Sequence, residues 1–149
     1  MATASKPDLQ PGERDRLLNA WIDRMTDLVR TVEAWAIADD WATRTITKKM
    51  EDREVGDHRA PALLLQKETV RVILEPISRE AVGGIEGVAD LYLMPAYDDI
   101  VRLYFSDGWK VDYPSEMAAR LGIADLESPK AFDQHAFRRI AGELSRDAS

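Results

Sequence analysis

The sequence predicts an α+β fold: a central antiparallel sheet of five to six strands, built as a meander and packed under a long N-terminal helix and a C-terminal helix. Three observations carry this reading. One long segment near the start repeats apolar residues at helical spacing, a run from Val88 to Tyr113 alternates like consecutive strands, and the last segment returns to helical spacing.

Residues Met1 to Gly12 contain two prolines and no apolar run, and are expected to form a loose tail before one domain spanning 13–149. From Glu13 to about Asp39, apolar residues fall at Leu17, Trp21, Met25, Leu28, Val32 and Trp35. At about 100° per residue these six lie within about an 80° arc of one helix. Arg16, Asp23, Asp27, Arg30 and Glu33 occupy the opposite side, so this helix should lie on a core. Asp39 and Asp40 then stop it, because the negative end of the helix dipole disfavours carboxylates.

Trp41 to Met50 is rich in β-branched residues and reads as a strand. Glu51 to Pro61 reads as a loop. Leu63 to Gln66 and Thr69 to Ile77 read as a hairpin turning about Lys67-Glu68, with Pro76 marking an edge or a strand end because it has no N–H to donate. Ser78 to Gly87 is a second loop, in which Gly83 and Gly84 supply the turn.

The Val88 to Tyr113 run predicts three strands. Asp107-Gly108 is a two-residue hairpin signal, since both residues tolerate the positive φ of a type I′ turn. That turn would pair Tyr104 with Val111 and Arg102 with Tyr113. A five-residue loop from Pro95 to Asp99 would pair Tyr92 with Arg102 and Asp90 with Tyr104. One face would then hold Ala89, Leu91, Leu93, Val101, Leu103 and Phe105. The other would gather Asp90, Tyr92, Met94, Arg102, Tyr104, Trp109, Val111 and Tyr113, joined by Arg71, Ile73 and Glu75 from the preceding strand. Ser115 begins a short helix ended by Gly122. Ser128-Pro129 should open the last helix, running to about Leu144 with Phe132, Ala136, Ile140 and Leu144 every fourth residue.

Composition narrows the function. The chain has 149 residues, 45% hydrophobic and 32% charged, and no cysteine, which excludes a disulfide framework, a thiolate nucleophile and Cys-ligated zinc. No apolar run approaches the ~18 residues of a membrane span, and the first residues lack the apolar region of a secretory signal, so a cytoplasmic protein is expected. Its net charge of −7, from 20 basic and 27 acidic residues, argues against nucleic acid as the main partner. The densest basic group is Arg44, Lys48, Lys49, Arg53 and Arg59, interrupted by acidic residues. Phosphate-loop, dinucleotide-binding, nucleophile-elbow and His-Glu-x-x-His motifs are absent.

The expected site is therefore the mixed sheet face of Arg71, Glu75, Asp90, Tyr92, Arg102, Tyr104, Trp109 and Tyr113. Aromatic bodies supply contact area and charged groups orient a ligand. The same residues can also act as ordinary cross-strand pairs. The expected role is non-catalytic binding of a partner protein or small ligand, with no cofactor, metal ligand or catalytic residue assigned. One alternative is a metal-dependent hydrolase acting on phosphodiesters, with Glu75, Asp90 and Asp98 or Asp99 holding the ion and His58 moving a proton. The acid-x-Lys spacing usual in such sites is missing at Asp107-Gly108-Trp109-Lys110. The other alternative is a homodimeric assembly subunit joined through a sheet edge or the mixed face.

Overall fold

The computed structural model describes residues 9–96 and 99–148. The elements in order are α1 (Glu13–Ala38), β1 (Ala42–Met50), β2 (His58–Lys67), β3 (Val70–Ser78), β4 (Val88–Leu93), β5 (Val101–Phe105), β6 (Trp109–Asp112), α2 (Ser115–Leu121), β7 (Lys130–Ala131) and α3 (Gln134–Asp147). All strands form one antiparallel meander in the order β1-β2-β3-β4-β5-β6-β7, seven strands where the sequence predicts five or six.

The extra strand is β7. Lys130 and Ala131 pair with Val111 and Lys110, and the Phe132 N–H donates to the Trp109 carbonyl. The last helix therefore does not start at Ser128-Pro129. Extended Asp133 caps it instead, its carboxylate accepting from the Ala136 N–H at 2.8 Å. β2 likewise starts earlier than the loop reading allows, at His58, and carries Pro61 inside it. The β2–β3 ladder ends at Leu63 and Leu74, so Pro61 and Pro76 both lie beyond it, where a missing N–H costs no bond between these two strands.

All three helices contribute to one core on a single sheet face. Trp21, Met25 and Val32 of α1, Met117 of α2 and Phe137, Ile140 and Leu144 of α3 pack with Leu63, Leu65, Val72, Leu74, Ala89, Leu91, Val101 and Leu103. Strand parity puts these sheet residues on one side. α1 ends where expected, with Asp39 as its C-cap and Asp40 at positive φ. Arg138 of α3 then clamps the Asp39 carboxylate with both Nε and Nη2, the shorter contact being 2.7 Å, and holds that carboxyl below its ordinary range. Among the described residues no helix covers the opposite sheet face, and no helix is long and apolar enough to cross a membrane.

Candidate functional site: the helix-free sheet face

The helix-free face is built from alternate residues of five long strands. In register across it lie Arg44, Leu64, Ile73 and Tyr92 in one row, and Gln66, Arg71 and Met94 in the next. Glu75, Asp90, Arg102 and Asp112 form a third.

Both strand registers expected in the Val88 to Tyr113 run differ, with different consequences. Between β4 and β5 the register is moved by two residues, so Asp90 faces Arg102 and Tyr104 faces Val88. A shift of two keeps every side chain on its face. It replaces the expected Tyr92–Arg102 contact with a forked ion pair: Arg102 Nε donates to Asp90 Oδ1 at 2.9 Å and Nη2 to Oδ2 at 3.0 Å. Tyr92 instead turns toward β3, and its hydroxyl donates to Glu75 Oε1 at 2.9 Å.

Between β5 and β6 the register is moved by one, and this reverses the faces. Phe105 pairs with Trp109, Leu103 with Val111 and Arg102 with Asp112, so Ser106, Asp107 and Gly108 form a three-residue loop. Asp107 and Gly108 do take positive φ, but the Ser106 N–H donates to the Gly108 carbonyl. Trp109, Val111 and Tyr113 consequently lie on the helix-covered side. Val111 and Tyr113 are buried there, and burial pushes the Tyr113 phenol up. Lys110 and Asp112 take their place on the open face. The reason is energetic: the two-residue turn would press Lys110 and Asp112 into the apolar core beside Phe105 and Leu103, a burial cost far above any turn preference.

Six of the eight expected residues thus share the open face: Arg71, Glu75, Asp90, Tyr92, Arg102 and Tyr104. Trp109 and Tyr113 do not. Among the six, Asp90 is 0% exposed, and its partner Arg102 covers it with a side chain that stays 48% exposed. Glu75 is held by Tyr92 and by Lys48, whose Nζ lies 3.5 Å from Oε2. Lys48 also donates to the Pro76 carbonyl at 2.9 Å, spanning the opening where the β2–β3 ladder has ended. The acidic and aromatic part of the face is therefore tied together by its own charges.

Its other end is different. Thr43, Arg44, Leu64, Gln66, Arg71 and Met94 line a hollow of ≈ 320 Å³. Arg44 and Arg71 are both exposed, and among the described residues neither has an ion-pair partner. Polar and apolar side chains both line this hollow, with two guanidinium groups able to fork onto carboxylates. Arg71 was legible as a face residue from strand alternation. Arg44 was legible only as part of a basic cluster, because its place opposite Leu64 depends on the β1–β2 register.

Of the residues of the hydrolase alternative, Glu75 and Asp90 stand directly opposite one another on β3 and β4, each engaged by other side chains. Asp90 is engaged by Arg102 and Glu75 by Tyr92 and Lys48. The Asp99 carboxyl shares a hydrogen bond with Asp147 that raises it above its ordinary range, and Asp98 lies outside the described residues. Among the described residues no three His, Asp or Glu side chains are placed to hold a metal ion. His58 is held by two hydrogen bonds: its Nε2 accepts from the Trp21 indole Nε1–H at 3.2 Å and its Nδ1 lies 2.9 Å from the Gly56 carbonyl. In that pairing Nδ1 donates to the Gly56 carbonyl.

The loops after β1 and β3 meet at one arginine. Arg79, its side chain only 9% exposed, donates to Asp52 Oδ2 at 3.0 Å and Glu54 Oε1 at 2.6 Å. Burial alone would raise the Asp52 carboxyl, but the Val55 and Glu54 N–H groups and Arg79 together hold it below its ordinary range. The Glu51 to Asp57 loop is thus pinned to the Arg79 to Gly87 loop. Against known proteins, no family model, no curated sequence and no solved structure matches this chain.

Proposed function

We propose that this chain is a non-catalytic binding protein whose open sheet face receives a partner protein, and that the contact is centred on the hollow between Arg44 and Arg71. The observation that supports this is two exposed arginines without ion-pair partners among the described residues, flanking Leu64 and Met94 on a face with no helix over it. Such a surface suits a segment carrying carboxylates beside apolar side chains. β1 carries Arg44, Lys48 and Lys49 and no carboxylate although the whole chain is at −7, and the apolar lining favours peptide over a nucleic-acid backbone. The lack of cysteine is compatible with a cytoplasmic setting.

The third expected role, a homodimer through a sheet edge, meets an electrostatic objection at β1. Two copies of β1 paired antiparallel about Ile46 would set Arg44 opposite Lys48 twice, and like charges directly opposite destabilise a ladder.

The test is calorimetric titration with a capped peptide alternating glutamate and leucine. Wild type should bind in a salt-sensitive way, and Arg44→Ala/Arg71→Ala should weaken binding at least tenfold while leaving the melting temperature within about 2 °C, as expected for exposed side chains. Equal affinity of the double variant and wild type would reject the reading.

A further inference from the structure

On the helix-covered side, away from the arginine hollow, α1 does not close fully over the last strands. A groove of ≈ 460 Å³ remains between the flank of α1 and β5 to β7. Its floor is aromatic: Trp35, Phe105, Trp109 and Phe132 all line it. Phe105 and Trp109 meet edge to face at 5.5 Å, and Trp35 and Phe132 at 5.6 Å. Asp23 and Asp27, one helical turn apart on α1, form the wall, and both are exposed. Neither has an ion-pair partner among the described residues.

Rings beside carboxylates favour one kind of guest. The negative ring faces and the two carboxylates both attract a cation, while the rings reward an apolar shell around the charge, which a hydrated metal ion lacks. The groove already shows this chemistry at one end. The Arg24 guanidinium lies 4.3 Å from the centre of the Phe105 ring, tethered there by the Glu86 carbonyl at 2.8 Å. Its volume is within the range of small-molecule sites, and the chain's net charge of −7 raises the local concentration of cations.

We propose that this groove binds a small organic cation, an alkylated ammonium whose methyl or methylene groups rest on Trp35 and Trp109 while Asp23 and Asp27 balance its charge. The test is titration of the full chain with choline, compared with its uncharged isostere 3,3-dimethyl-1-butanol, followed by NMR of the indole N–H signals. Choline should produce saturable shifts at Trp35 and Trp109, with Trp21 and Trp41 as internal controls outside the groove. The uncharged isostere should bind roughly tenfold or more weakly, and Asp23→Asn/Asp27→Asn should reduce choline affinity by a similar factor. These two substitutions are on an exposed helix flank and should leave the melting curve unchanged. No saturation below ~10 mM, equal binding of the isostere, or undiminished binding by the double variant would each overturn the proposal. Shifts confined to Trp21 or Trp41 would overturn it as well.

Discussion

Replacing Arg102 by alanine should harm this fold more than replacing its partner Asp90, although Arg102 is the more exposed of the two. Asp90 is 0% exposed and receives two charge-assisted bonds at 2.9 and 3.0 Å from Arg102. Removing one partner of a buried pair costs about 3–5 kcal/mol, because a charge is left in a poor solvent. Loss of the Arg102 stem admits some water to Asp90, which brings the expected cost to about 2–4 kcal/mol. Asp90→Ala removes the buried carboxylate itself, and the half-exposed Arg102 side chain keeps its access to water, so about 1–2 kcal/mol is expected. Adding Asp90→Ala to Arg102→Ala should therefore recover about 1–2 kcal/mol. The assay is urea unfolding of the four proteins, compared by midpoint at constant slope. A double variant less stable than Arg102→Ala alone would contradict a cost set by the buried Asp90 charge, as would an Asp90→Ala cost equal to or above that of Arg102→Ala.

Three further outcomes follow from the same structure. His58→Ala should cost about 1–3 kcal/mol by leaving the fully buried Trp21 indole N–H without its acceptor; a loss under ~0.5 kcal/mol in urea unfolding would show another acceptor serving Trp21. A Cβ on Gly87 would lie 3.1 Å from the Trp21 ring and 3.3 Å from Trp109, so Gly87→Ala should cost about 1–3 kcal/mol by overpacking, with a changed tryptophan emission spectrum; an unchanged melting temperature would contradict it. Asp52 has a folded pKa below its unfolded value of about 3.9, so its contribution is present above that pH and is lost as pH falls through the lower, folded value. Asp52→Asn should therefore be less stable than wild type at pH 7 with the gap narrowing toward ~pH 3, and a gap independent of pH would contradict the assignment.

Much of the architecture is legible in the residues because burial enforces it. The stripe from Trp21 to Val32 fixes α1, and the alternation of Val72 and Leu74, Leu91 and Leu93, Val101 and Leu103 fixes which face meets the helices. The expected site failed at a single parity. Asp107-Gly108 suggests a two-residue turn, yet Trp109-Lys110-Val111-Asp112-Tyr113 alternates apolar and polar, which demands the three-residue loop once Leu103 is inward. Core burial outweighs turn preference, and weighing that alternation would have moved Trp109 and Tyr113 to the covered side in advance. β7 was hidden for another reason: two residues of strand carry no periodicity, and only the edge left open by β6 makes Lys130-Ala131 extended. The Arg44–Arg71 hollow was out of reach because it needs two registers at once, β1–β2 across the Glu51 to Asp57 loop and β2–β3 across the Glu68 turn.

The measurement that bears most directly on the binding reading is a ¹H–¹⁵N NMR titration with the glutamate-leucine peptide, read at backbone amides and arginine Nε–H groups. Shifts should concentrate at Arg44, Leu64, Gln66, Arg71 and Met94, with the Arg102 Nε–H signal held by Asp90 and unmoved. Shifts centred on Arg102 and Tyr92, or spread over α1 and α3, would contradict that reading.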